Sequence, residues 1–156
     1  MKNLKISGIY NLETVRLLQE QGIYNISFDL RPRSFNFIPM ANLLEIIKHM
    51  SDFTTITLHF ANEKDYVINK IISEIKDMGR NCSLEFSDQK SLDYYESFKL
   101  PFYLYYYPQI LQLKWRYLKN FKGIMIAENQ LSNSTEVLLE LVKLKRINKI
   151  NSFIDN

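Results

Sequence analysis

Glycine is scarce in this chain, with four residues in 156, at positions 8, 22, 79 and 123. A phosphate cradle needs glycines close together, so that consecutive backbone N–H groups can face one anion. No two of these four are neighbours. Cysteine occurs once, as Cys82, which excludes an internal disulfide and suits a reducing cytoplasm. The two histidines, His49 and His59, lie in different segments without paired-ligand spacing, so neither a metal nor another cofactor is expected. No apolar run approaches the roughly 20 residues that cross a bilayer. The opening MKNLKISGIY also lacks the apolar core and cleavage site of a secretory signal. Together these absences predict a cytoplasmic chain with no membrane partner.

An excess of one charge is missing too: 20 basic and 17 acidic residues are interspersed, for a net charge of +3. That excludes a strong polyanion footprint. Lys143–Arg146 with Lys149 is read as a charged helix face. The stretch WRYLKNFK (115–122) mixes aromatic and basic residues as single-strand binders do, but amphipathic helices produce the same mixture. No nucleic-acid partner is expected.

What the chain does have is ordinary globular composition, 46% hydrophobic and 24% charged, at a length that suits one domain over residues 1–156. Strand-like and helix-like stretches alternate. Leu4–Ile9 reads as a strand, and Asn11 caps a helix carrying Leu12, Val15 and Leu18 that stops at Gly22. Tyr24–Leu30 is a second strand, and a loop Arg31–Pro39 leads to the helix Ala41–Met50. Thr54–Phe60 is a third strand. The helix Glu63–Met78 follows, with Val67, Ile68, Ile71, Ile72 and Ile75 at helical spacing. Ser83–Phe86, Phe102–Tyr107 and Gly123–Ala127 complete the strands, and Leu92–Phe98, Ile110–Leu118 and Thr135–Ile154 the helices, the last with a break near Asn148. Six strand–helix units in series imply an α/β fold with a parallel sheet and right-handed crossovers. The pattern by itself allows either an open doubly wound sheet or part of a barrel.

The stretch KISGIYNLETVRLLQEQGIYNISFDLRPRSFNFIP resembles the start of phosphoribosylanthranilate isomerase, a (β/α)₈-barrel enzyme of tryptophan biosynthesis. That family opens with a K-I-C-G-I strand, a helix, a second strand and a loop of the form Y-P-K-S-x-R. The resemblance continues through LHFANEKDYVINKI (58–71) and LEFSDQKSLDYYESFKLPFYLYYY (84–107), so it runs from residue 4 to 107. It implies a truncated, TIM-barrel-like fold, because eight units need about 200 residues or more. GIMIAENQLSNSTEV (123–137) matches either the sixth or the seventh family strand.

The resemblance also defines the chemistry that the chain would need: a general base, a general acid and a phosphate cradle for an Amadori rearrangement. Ser7 stands where the family has its basic cysteine, and an alcohol titrates far above a thiol. If GIMIA is the sixth strand, Ala127 stands where the family's acidic aspartate would be, with Glu128 beside it as the positional substitute. If it is the seventh, the sixth strand is missing together with its aspartate. In the loop, Arg31, Arg33 and Ser34 are candidate substrate-binding residues, and Asn36 replaces the family's arginine. LEFS replaces Q-L-H-G, and no glycine is left for a phosphate loop, which disfavours a small phosphorylated ligand. The expectation is a divergent, isomerase-like protein without catalysis that acts as a binding or interaction protein. The alternative is an active isomerase, or another small-molecule enzyme of the same barrel superfamily, with altered catalytic residues. A sheet of six strands leaves open edges, through which a homodimer would form.

Overall fold

A computed structural model of the chain describes residues 4–112, 118–127 and 151–155. They form two compact units, one ending at Leu84 and the other beginning at Glu85. In the first unit, β1 (Lys5–Ile6), α1 (Leu12–Glu20), β2 (Asn25–Asp29), α2 (Met40–Lys48), β3 (Thr55–Phe60) and α3 (Asp65–Asp77) alternate strictly. The strand β4 (Cys82–Phe86) straddles the division. The second unit continues with α4 (Leu92–Ser97), β5 (Phe102–Tyr105), a 3₁₀ turn Pro108–Gln112, β6 (Phe121–Ala127) and β7 (Asn151–Asp155).

Local chemistry accounts for the helix boundaries. Asn11 accepts a hydrogen bond from the Thr14 N–H at 2.8 Å, and Ser91 caps α4 in the same way. α3 presents Ile68, Ile71, Ile72 and Ile75 as one buried stripe and stops before Gly79, whose φ of +72° a residue with a Cβ adopts reluctantly.

All described strand pairs are parallel. In the first unit Lys5, Asn25 and Thr55 lie side by side, so β1, β2 and β3 are hydrogen-bonded in chain order. In the second, β5, β6 and β7 are also in chain order. Neither unit contains the order reversal of a doubly wound sheet. This resolves the choice that periodicity left open in favour of a shortened (β/α)-barrel-like arrangement.

Successive side chains on a strand point to opposite faces. In β2 and β3, one face carries Ile26, Phe28, Ile56, Leu58 and Phe60, all buried. The other carries Ser27, Asp29, Thr57 and His59, which are buried as well. Barrel interiors are ordinarily filled with branched aliphatic side chains. In this unit one face is instead a layer of polar groups. The second unit is held by aromatic packing: Tyr95 lies 4.8 Å from Phe86 and 5.7 Å from Phe102 between ring centroids. The Tyr95 hydroxyl donates to the Asp88 carbonyl and accepts from the Lys90 N–H.

Several boundaries differ from the sequence expectation, four of them for a visible reason. β1 ends at Ile6, not Ile9, because Gly8 turns the backbone to a φ of +75°. Pro108–Gln112 is a 3₁₀ turn where a helix Ile110–Leu118 was expected, and residues 113–117 lie outside the described ones. β6 starts at Phe121 rather than Gly123, as Phe121 pairs with Phe102. Asn151–Asp155 is a strand rather than the end of the helix Thr135–Ile154, since five of its residues pair with β6. The backbone groups of β6 supply hydrogen-bond partners that override the local preference.

Candidate functional site

The loop after β2 is organised by Asp29. Arg31 donates from Nε to Oδ1 at 2.9 Å and from Nη2 to Oδ2 at 2.6 Å, a bidentate fork on one carboxylate. The Arg31 backbone N–H donates to Oδ1 at 3.0 Å, and the Ser34 hydroxyl to Oδ2 at 2.5 Å. Asp29 is itself buried, which raises its pKa, but the hydrogen bonds from Arg31 and Ser34 and the Arg31 charge outweigh burial and hold it below the ordinary carboxylate value. The Asn36 N–H in turn donates to the Ser34 hydroxyl at 3.3 Å, so the clamp sets the path of the whole turn.

His59 is the cross-strand partner of Asp29 in the β2–β3 register. Burial, with the charges of Arg31 and Lys5, pushes its pKa down to about 3 against the opposing pull of Asp29. At neutral pH the imidazole is therefore uncharged and a weak base.

Ser7 follows β1, and its hydroxyl is buried without a hydrogen-bond partner among the described residues. Beside it, Gly8 faces Asn36: a Cβ there would meet Asn36 Nδ2 at 2.6 Å. Asn36 thus fills the space over the β1 tip.

A cavity of about 570 Å³ opens between the β2–α2 and β3–α3 loops, a size typical of small-molecule sites. Arg31–Ser34 form one wall, and Ala61, Asn62 and Glu63 the other. Asn62 holds a left-handed φ of 58°, and the Glu63 carboxylate accepts the Ala61 N–H, which together shape the short turn into α3. Arg33 is exposed and makes no hydrogen bond or ion pair among the described residues.

Of the residues singled out from the sequence, Arg31, Arg33 and Ser34 line this cavity together. Ser7 and Asn36 lie at the tip of β1 and do not line it. Glu128 lies outside the described residues. His59 and Glu63 were not among the candidates, and Asp29 was one only on condition that its side chain faces the pocket. Asp29 carries a signal in retrospect, an acid ending a strand immediately before the cationic loop LRPRS. His59 has only its position at a strand's end, and Glu63 has none beyond preceding a helix. Among the described residues, no cluster of three or more His, Cys, Asp or Glu could hold a metal. None of the described helices is long and apolar enough to cross a membrane.

No family model and no curated protein matches the chain. Known structures do. Phosphoribosylanthranilate isomerase from Thermus thermophilus superposes with a TM-score of 0.70 at 12% identity, over 97% of this chain and 85% of that one. Monomers generated from the dimeric enzyme of Thermotoga maritima give 0.67 at 14% identity, over 97% and 84%. TrpF from Jonesia denitrificans gives 0.68 at 11% identity, over 97% and 73%. At such low identity the likeness speaks for architecture: the chain has the fold of the phosphoribosylanthranilate isomerases, in a shortened and strongly diverged form.

Proposed function

We propose that the chain is a non-catalytic relative of the isomerase fold that binds a small molecule in the cavity between the β2–α2 and β3–α3 loops. The observation that carries this reading is Ser7. Its hydroxyl occupies the position at which the resemblance would put a basic thiol, and among the described residues it has no partner to remove its proton. His59, on a nearby strand, is neutral and too weakly basic to serve. The loop beside it, in contrast, is well ordered by Asp29, and it presents a cation to a cavity of ligand size. A built loop beside a Ser7 that has no base next to it among the described residues favours binding over turnover.

Complementation tests the reading. Expressed in a bacterium that lacks its own phosphoribosylanthranilate isomerase, the chain is expected not to restore growth without tryptophan. Growth at the rate given by a genuine isomerase would establish the alternative of an active enzyme.

Self-association is a second part of the proposal. The Thermotoga maritima relative is dimeric, and β7, the last strand hydrogen-bonded in the second unit, has no further strand beside it among the described residues. Five residues of edge suffice to pair with a second copy. β1 is a poorer candidate, because a two-residue edge offers few groups to pair.

A further inference from the structure

One buried carboxylate organises a wall of the cavity, and two side chains that form cations stand beside it. From the loop, Arg31 sets its fork on Asp29, with Nη2 2.6 Å from Oδ2. From β3, His59 is the partner of Asp29 in the strand register. The two differ in their access to water. The Arg31 side chain is 33% exposed, whereas His59 is 5% exposed within the polar layer of the sheet. Arg31 has a path into solvent that His59 lacks.

The backbone confines movement to one segment. The Leu30 N–H donates to the His59 carbonyl at 2.9 Å, and the Ile38 N–H to the Asp29 carbonyl at 2.9 Å. Both bonds run from main chain to main chain and spare the Asp29 carboxylate. Between these pins, the turn Arg31–Asn36 is fastened to β2 by that carboxylate, through Arg31 and the Ser34 hydroxyl.

The charges that act on the imidazole are Arg31 from the loop, Asp29 from β2 and Lys5 from β1. The part of β4 in this unit, Cys82–Leu84, carries no charged side chain, and Glu85 belongs to the second unit. While Arg31 sits on Asp29, a charged His59 would join two cations around one carboxylate in a buried layer, where repulsion is strong. Once Arg31 leaves, that carboxylate is buried without its ion pair, which is costly unless another cation takes over. A protonated His59 is that cation. The turn therefore has two self-consistent arrangements, one with Arg31 on Asp29 and a neutral imidazole, the other with an imidazolium on Asp29 and Arg31 in water.

We infer that Arg31 and His59 are alternative cations for the Asp29 carboxylate, so that acid opens the turn Arg31–Asn36 and withdraws Arg31 from the cavity wall. The inference concerns the wall itself and holds whatever the cavity binds. Proton linkage sets its direction. Burial and the charges of Arg31 and Lys5 hold the closed imidazole at about 3, against an ordinary 6.5. Opening relieves part of that, so the open form takes up the proton first. Each pH unit between the open form's value and about 3 shifts the balance toward the open turn by about tenfold.

Nuclear magnetic resonance of the full chain, titrated from about pH 7 to about pH 3.5, reads both side chains. The imidazole Cε1–H reports the charge of His59, and the Nε–H of Arg31 reports its hydrogen bond to Asp29. The Arg31 signal is expected to vanish as His59 charges, with one shared midpoint, while the amide signals of the α3 core residues Ile68 and Ile71 stay in place. An imidazole that remains neutral until the α3 signals collapse overturns the inference, as does one that charges while the Arg31 Nε–H persists. In His59→Gln the Arg31 signal should survive about one pH unit or more further into acid. Its loss at an unchanged pH would assign the opening to protonation of Asp29 itself and overturn the inference. Arg31→Gln removes the competitor and should raise the midpoint of His59 by about one pH unit or more, whereas an unchanged midpoint shows that the two do not compete.

Discussion

Asp29 governs the loop that the two arginines share, and it gives them different tasks. Its carboxylate takes the whole fork of Arg31 and the hydroxyl of Ser34, which leaves Arg33 as the cation without a partner among the described residues. Replacing Asp29 with alanine is therefore expected to cost about 1.5–3 kcal/mol in urea unfolding, from the loss of hydrogen bonds to a charged group. It should also weaken ligand binding by disordering the loop. The acid limb carries the same signature. Because the folded pKa of Asp29 lies below its ordinary 3.8, the carboxylate stabilises the fold above that pH and the contribution is lost as pH falls through the folded value. The stability difference between the native chain and Asp29→Ala should shrink there. His59 acts in the same direction over a higher window. Its pKa falls from 6.5 to about 3 on folding, so the unfolded chain binds the proton first and stability declines as pH drops from about 6.5. His59→Gln is expected to flatten that decline, measured by denaturant midpoints between neutral pH and about pH 4. A third prediction concerns Gly8→Ala, which meets both a φ of +75° and the Asn36 amide at 2.6 Å. The cost should be about 1–3 kcal/mol. Pairing it with Asn36→Ala should recover the steric share but not the backbone share.

At the scale of elements, the sequence was informative wherever one physical rule acted alone. The isoleucines of α3, the Asn11 cap and the β-branched run of β3 each specify an element without help from the rest of the chain. Asn11→Ala is accordingly expected to cost about 0.5–2 kcal/mol in thermal unfolding, because the Thr14 N–H loses its acceptor. Reading failed where distant backbone decided the outcome. Residues 151–155 become a strand only because β6 offers them partners, and β1 is cut short by a turn at Gly8 that Asn36 fills. The site divides in the same way. Arg31, Arg33 and Ser34 were visible as a polar cluster in one loop. Their separation into a clamped pair and an outward cation depends on where Asp29 points, and the role of Glu63 depends on which loop lies across the cavity. Neither is encoded in local spacing.

For the whole molecule, composition excluded more than it specified. Four scattered glycines leave no phosphate loop of the usual kind. The order of parallel strands, rather than their number, identified the barrel-like fold. If β7, which has no further strand beside it among the described residues, pairs with a second copy as proposed, light scattering across a concentration series is expected to give twice the monomer mass of 18.6 kDa at the upper end. A constant monomer mass would rule self-association out. The proposal of a kept scaffold without its reaction rests on Ser7. It is tested by the rate at which purified chain consumes phosphoribosylanthranilate, followed by the fluorescence of the substrate, with Ser7→Ala measured beside it. Both proteins are expected to match the uncatalysed rate. Turnover above that rate, abolished by Ser7→Ala, would make the chain an enzyme and Ser7 its reagent.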